Sequence, residues 1–330
     1  MTQQETDEKY MRRCLQLAAN GLLTTKPNPM VGAVIVSAEG KIIGEGFTSP
    51  VGGPHAEVNA FASVRKEDEA LLPQSTIYVS LEPCSHWGHT PPCCDLIIRK
   101  QVKRCVCGCV DPFAKVQGRG IKRMRDAGIE VTVGVLEEEC KAMNKRFMTF
   151  NEKRRPYIIL KWAQTVNGII GGATPLRIST PFTTMLVHKL RAENDAILVG
   201  KGTLKADHPR LNTREWSGND PERIVLSHNK EGIHEGYTWC SSIEEVVSHL
   251  YDEQKQSLIV EGGAEVLKEF IDRDLWDEIR VETAPFTVSG GVKAPSLPSD
   301  AVLEKKECYD GNSICWFHHN PLSAQSPLSN

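Results

Sequence analysis

Three residues in the first hundred have the types and spacing to hold a metal ion, and a fourth could move protons beside it. His55-Ala56-Glu57 falls where a glycine-rich loop meets a helical pattern. Pro83-Cys84 follows a β-rich run, and Cys93 sits in the first turn of the next helical pattern. A catalytic zinc needs three protein ligands and an open fourth position for water; one imidazole and two thiolates supply them. Cys84 and Cys93 both fall at or near strand-to-helix junctions, where a helix dipole stabilises a thiolate. A water held by such an ion ionises near neutral pH. Glu57, two residues beyond His55, can take its proton without ligating the metal.

That division of labour is the one used by zinc deaminases, whose signature is H-x-E followed by P-C-x-x-C. Here the residue three after Cys84 is Trp87, so the second thiolate must come from further along. Cys94, His86 and His89 compete with Cys93 for the place; Cys93 is preferred, with Cys94 as a buried neighbour. A purely structural zinc would leave Glu57 without a role and would need a fourth firm ligand. Cys105, Cys107 and Cys109 alternate along a strand pattern and so share one face, which reads as small buried hydrophobes.

The elements that must position these residues can be read from periodicity. Met11, Leu15 and Ala18 predict an opening helix. Residues 31–36 and 41–48 predict two strands joined by a turn at Glu39-Gly40. Val58, Phe61 and Ala62 mark the expected apolar face of the helix that starts at His55. Residues 76–81, 105–110 and 129–133 complete the strands, with Thr90-Pro91-Pro92 expected to cap the helix bearing Leu96, Ile97 and Lys100. Residues 136–150 read as one helix. The charged run Asn151-Glu152-Lys153-Arg154-Arg155-Pro156 then suggests a boundary, giving domains at 1–150 and 151–330.

The second half repeats the alternation without repeating a motif. Strands are expected at 157–162, 196–199, 223–226, 258–260 and 279–283, and a helix at 181–193 with Thr180 as N-cap. Gly262-Gly263, between an apolar strand and a helix at 264–270, form a candidate phosphate cradle. Gly200-Lys201-Gly202-Thr203-Leu204-Lys205 lacks the last glycine of the dinucleotide fingerprint, which excludes a standard Rossmann reading. Both halves are therefore α/β, the first with a mostly parallel or mixed sheet.

Composition excludes several classes. The 330 residues are 40% hydrophobic and 25% charged, an ordinary globular balance. A net charge of −3 and 6% aromatics argue against a nucleic-acid-binding protein that grips phosphates and stacks bases. No apolar run is long enough for a membrane span. The polar, acidic N-terminus and 11 scattered cysteines lead to an expectation of a reducing, cytoplasmic setting.

Several strings carry a more specific likeness. Asn28-Pro29-Met30-Val31-Gly32-Ala33-Val34, His55-Ala56-Glu57, Leu81-Glu82-Pro83-Cys84-Ser85-His86 and Thr90-Pro91-Pro92-Cys93 resemble the bifunctional riboflavin biosynthesis deaminase/reductase family. Asp111-Pro112, Gly118-Arg119-Gly120 and Asn144-Lys145-Arg146-Phe147 extend the likeness. The resemblance implies a cytidine-deaminase-like first domain that deaminates 2,5-diamino-6-(5-phosphoribosylamino)pyrimidin-4-one. His55, Cys84 and Cys93 would hold Zn2+, Glu57 would be catalytic, and Asn28 would contact substrate.

It also implies a dihydrofolate-reductase-like second domain that uses NADPH to reduce the ribosyl group to a ribityl chain. There Lys161, Arg191, Leu211, Arg214 and Glu261 would meet the phosphoribosylaminopyrimidine. Ala163, Thr203, Asp207, Ser227 and Gly263 would meet the cofactor. The chain departs from the family at Trp87 and His89 in the Cys-to-Cys excursion. Further departures are Thr165, Asn167, Arg177 and Ser227-His228 in the second half. The family likeness favours a homo-oligomer built through the second domain. An alternative reading is a deaminase whose second domain serves only as an assembly scaffold.

Overall fold

The structure, a computed structural model, describes residues 1–87, 91–113, 117–172, 176–232 and 235–320. The chain divides into two compact units, Met1–Arg154 and Arg155–Asn330. The first contains α1 (Gln3–Ala18), β1 (Gly32–Val36), β2 (Ile42–Phe47), α2 (Ala56–Ala62), β3 (Thr76–Leu81) and α3 (Cys93–Arg99). It continues with β4 (Arg104–Cys109), α4 (Arg119–Asp126), β5 (Glu130–Val133), α5 (Glu137–Met143) and α6 (Lys145–Lys153). Its sheet runs β2-β1-β3-β4-β5, with β1 antiparallel to both neighbours and β3, β4 and β5 parallel. The sheet is mixed. Strands β1 and β4 are buried throughout, so their near-continuous apolar sequences fit the inside of a covered sheet.

Three local expectations change on folding. Residues 136–150 form two helices because Asn144 interrupts them, exchanging hydrogen bonds of 2.8 Å with both the N–H and the carbonyl of Met30. The buried face of α2 is Ala56, Glu57, Ala60 and Phe61, whereas Ala62 is exposed. Close packing on β2 selects the small residues, and a carboxylate takes a place that periodicity would give to an apolar side chain. Pro92, one residue before Cys93, is the N-cap of α3; Thr90 lies outside the described residues. The expectation for the terminal segment 321–330 also lies outside them.

The second unit holds β6 (Tyr157–Thr165), β7 (Ile169–Gly171), α7 (Pro181–Ala192), β8 (Ala196–Gly200), α8 (Lys201–Asp207) and β9 (Glu222–Leu226). Then follow β10 (Thr238–Cys240), α9 (Ile243–Asp252), β11 (Ser257–Val260), α10 (Ala264–Asp272) and β12 (Glu278–Ala284). β13 (Val292–Lys293), β14 (Ala301–Tyr309) and β15 (Asn312–His319) end it. The main sheet has the order β10-β9-β8-β11-β6-β12-β15-β14; it is parallel from β10 to β12, and the β14–β15 hairpin adds antiparallel strands at one edge. Alternate residues of β6 enter two cores. Ile158, Leu160 and Trp162 pack in one with Leu250, Leu267 and Phe270, while Tyr157 and Ile159 pack in the other with Leu190 and Leu204. Helix α7 begins as its sequence dictates, with Thr180 accepting from the N–H of Thr183 and Pro181 at the first turn.

The approach of α2 to β2 is close enough to be tested. A Cβ on Gly46 would lie 2.4 Å from the Ala60 nitrogen and 2.5 Å from the Ala56 carbonyl oxygen. Gly46→Ala is therefore expected to cost about 1–3 kcal/mol by overpacking. It should lower the thermal transition of the first unit while leaving that of the second in place, as read by calorimetry.

Candidate active sites

In the first unit the strand-to-helix junctions bring the metal-type residues together. His55 is the N-cap of α2, and Glu57 lies in its first turn. Cys84 follows β3, and Cys93 is the first residue of α3. His55 Nδ1 lies 3.3 Å from Cys93 Sγ and 3.6 Å from Cys84 Sγ. One donor atom from each of the three residues lies within 4.8 Å of the other two. Ligands at about 2.0–2.3 Å around a tetrahedral zinc stand roughly 3.5 Å apart, so the donor set fits that ion in type and spacing.

The electrostatics match the geometry. The backbone N–H of Cys93 donates to Cys84 Sγ at 3.2 Å, so the first turn of α3 supports a thiolate. Hydrogen bonding from Cys93, then from His55, pulls the Cys84 thiol down to about 4 despite its burial. The shared proton and burial push Cys93 up. His55 is raised, first by its contact with Cys84. Burial and the Cys84 charge raise Glu57 to about 7. A carboxyl group poised near neutrality is suited to accepting and returning protons.

Two of the competing ligands are arranged otherwise. Cys94 turns its thiol toward Asp95 Oδ1, 3.7 Å away. The His86 ring packs edge-on against Phe113, and His89 lies outside the described residues. Trp87 stands 73% exposed in the excursion after Cys84. Cys105, Cys107 and Cys109 are all buried. Asn28 is exposed, its N–H bonded to the Thr25 carbonyl.

Two acidic residues near this site were not singled out by the sequence reading. Glu82 accepts from the backbone N–H groups of Asp111, Gly118, Gly120 and Ile121, tying the end of β3 to the start of α4 just before Cys84. Asp111 is buried and raised to about 6 by that burial. Their only sequence signal is their place within the family-like strings.

The second unit carries a cleft of about 350 Å³ lined by residues that include Lys161, Ala163, Arg177, Thr184, Thr203 and Asp207, with Glu261, Gly262 and Gly263. Thus six of the residues implied by likeness, Lys161, Ala163, Thr203, Asp207, Glu261 and Gly263, line one space. Thr203 Oγ1 accepts from the Gly263 N–H at 2.9 Å and joins the start of α8 to the glycine pair. Gly262 has φ +138°, a conformation reserved for glycine.

Buried charge surrounds the cleft. Glu261 Oε2 accepts from Arg191 at 2.8 Å, and its other oxygen lies 3.8 Å from Lys161 Nζ. Burial alone would raise this carboxyl; Lys161 and Arg191 outweigh it and hold it below the usual range. Burial lowers the Lys161 ammonium, and Glu261 offsets only part of that.

Other implied residues lie beyond the cleft lining. Leu211 is buried in the core with φ 53° and does not line the cleft. Arg214 is partly exposed, with NH1 donating to Asn212 Oδ1. Ser227 sits at the end of β9, its N–H bonded to the Cys240 carbonyl. The departures at Thr165 and Asn167 form a turn of their own. Thr165 donates to Asn167 Oδ1 and accepts from the Ile169 N–H. Arg177 does line the cleft.

The comparisons agree with this two-site arrangement. Residues 4–109 match the cytidine and deoxycytidylate deaminase zinc-binding region, and residues 156–312 match the RibD C-terminal domain. The riboflavin biosynthesis protein RibD of Aquifex aeolicus is 35% identical over 91% of this chain and 93% of its own length. That of Bacillus amyloliquefaciens is 33% identical over 89% and 88%. A crystal structure of a diaminohydroxyphosphoribosylaminopyrimidine deaminase/5-amino-6-(5-phosphoribosylamino)uracil reductase from Thermotoga maritima superposes with a TM-score of 0.87 at 33% identity. It covers 97% of this chain and 100% of that one.

Fold and sites thus define a two-part enzyme, a deaminase region followed by a reductase domain. The chain belongs to the RibD family of bifunctional riboflavin biosynthesis proteins. Among the described residues, no helix is long and apolar enough to cross a membrane.

The ligand set generates a direct test. Cys93→Ser is expected to lose nearly all bound zinc, whereas Cys94→Ala keeps close to one ion per chain, as measured by metal analysis of the purified proteins.

Proposed function

We propose that the first unit, expected at 1–150, hydrolytically deaminates 2,5-diamino-6-(5-phosphoribosylamino)pyrimidin-4-one to 5-amino-6-(5-phosphoribosylamino)uracil. The second, expected at 151–330, then reduces the ribosyl group to a ribityl chain with NADPH. The observation that carries the first half is the convergence of His55 Nδ1 with the Cys84 and Cys93 sulfurs beside buried Glu57. His55, Cys84 and Cys93 would hold zinc. When bound, that ion supplies the Lewis acidity that makes water a competent nucleophile near neutral pH. Glu57 accepts the water's proton and returns protons to a ring nitrogen and to the departing amino group, which leaves as ammonia. Asn28 contacts the substrate from the segment that Asn144 pins through Met30.

In the second unit, Lys161 and Glu261 present opposite charges to the substrate from the cleft lining. Ala163, having no bulk beyond Cβ, leaves room for a flat ring, and Thr203, Asp207 and Gly263 border the place for the rest of the cofactor. Ser227 would add a contact from the end of β9. NADPH supplies the hydride; the protein's share is orientation and exclusion of water. Arg191 orients Glu261, and Arg214 meets the sugar phosphate, with Leu211 holding the backbone of that segment.

The test uses the full chain and the diaminopyrimidine substrate. Ammonia release without NADPH, followed by stoichiometric NADPH oxidation once it is added, is expected. Glu57→Gln should lower deamination by about 100-fold or more with zinc retained. Reduction of supplied aminouracil should persist in that variant. Deamination without any NADPH oxidation at saturating cofactor would instead favour the scaffold reading of the second unit.

A further inference from the structure

Helix α7 borders the reductase cleft through Thr184, and the next two turns on the same face carry His188 and Arg191. These two side chains grip the loop that follows α8. Arg191 NH1 donates to the Asn212 carbonyl at 3.2 Å while its NH2 holds Glu261. His188 Nδ1 accepts from the backbone N–H of Arg214 at 3.2 Å. The loop needs such restraint: Leu211 occupies a left-handed backbone conformation that leucine rarely adopts. Beyond it, Thr213 is bonded to Asp220 and Asn219.

An amide N–H can only donate, so the contact fixes the state of the imidazole. Nδ1 must be bare, which leaves the proton on Nε2, 3.7 Å from Glu215 Oε1. His188 is 1% exposed. We infer that His188 is a positioning residue for the sugar-phosphate end of the reductase site: its bare Nδ1 fixes the Arg214 backbone and so aims the 211–215 loop toward the substrate. The inference rests on the proposed reading in which Arg214 meets the phosphosugar.

It also gives that contact a pH dependence. The charged groups around the ring are Arg191 on its own helix, and Arg214 and Glu215 on the loop. Burial, then the two arginines, lowers the imidazole below its ordinary range, and Glu215 together with the Asn212 backbone opposes them only in part. The ring is therefore neutral and accepting at pH 7. As pH falls through the lowered value, a proton on Nδ1 faces the Arg214 N–H and the contact is lost. A group whose neutral form is favoured in the folded state contributes above its pKa and ceases to below it.

Two variants separate positioning from bulk. His188→Leu fills the space without an acceptor, and His188→Asn offers an acceptor near the Nδ1 position that does not titrate. With 5-amino-6-(5-phosphoribosylamino)uracil, His188→Leu is expected to raise KM about tenfold, the worth of one hydrogen bond. kcat should stay within about twofold, and NADPH affinity by fluorescence titration should not change. His188→Asn should restore KM and remove the additional rise in KM expected of the wild type as pH falls below about 6.5. The substrate phosphate titrates identically in all three proteins, so only the difference between profiles counts. A dephosphorylated substrate should show no KM difference among them.

Hydrogen exchange of the 211–216 segment supplies a readout that needs no activity: it should accelerate in His188→Leu and return toward wild type in His188→Asn. Unchanged exchange with unchanged KM overturns the inference. So does a loss in His188→Leu that falls equally on the dephosphorylated substrate or on NADPH binding. A wild-type protein that never oxidises NADPH would sink the proposed reductase reading, while exchange would still report whether His188 holds the loop.

Discussion

Chemistry in the first unit depends on two helix starts meeting at one point. His55 caps α2 and Cys93 opens α3, so both side chains stand at helix starts, and the free N–H groups of α3 favour the negative charge of a thiolate. Cys84 arrives from β3 and accepts one of those N–H groups directly. The meeting requires α2 to lie almost on the backbone of β2, which glycines at 44 and 46 permit. Glu57 is buried as a consequence of the same packing. Its altered acidity therefore follows from where the helix must sit, and a few ångströms of displacement would separate both His55 and Glu57 from the two sulfurs.

The second unit solves a different problem with buried charge. On one face of its sheet, Lys161, Glu261, Arg280 and Glu282 come from β6, β12 and the residue after β11, and α7 covers them with Thr183 and Arg191. Glu282 is fully buried and accepts from Ser179, Thr183 and Asn312. Arg280 lies over the Trp316 ring, its guanidinium almost wholly buried and lowered by that burial. Burying so many ionised groups is costly unless each is paired. The network earns its place by fixing α7, and with it the groups that orient Glu261 at the cleft. Orientation is the main contribution a protein makes to hydride transfer.

Much of the first site was legible because metal chemistry restricts residue types so strongly. His55, Glu57, Cys84 and Cys93 could be nominated from spacing alone, although Cys94 and His86 remained rivals until distances were available, and His89 lies outside the described residues. The reductase residues were legible only through family likeness, since glycine pairs and single lysines or arginines occur for many reasons. Even there the likeness did not distinguish residues lining the cleft, such as Lys161 and Asp207, from Leu211, whose side chain is in the core. The helix expected over 136–150 failed for a reason outside its own sequence window. Asn144 finds its hydrogen-bond partners at Met30, 114 positions earlier.

By itself the sequence determined the alternation of strands and helices, the capped start of α7 and the set of donors able to hold a metal. Each of these is a local property, written in periodicity, capping residues or ligand chemistry. Tertiary structure decided which donors share a point and which helix face is buried. It also decided the environment of the alternating charges at Glu278, Arg280 and Glu282. All three are buried, and α7 meets Glu282 through Thr183. Burial and pairing arise from residues far apart in the chain, and those contacts set the charge state and aim of the groups that do the chemistry.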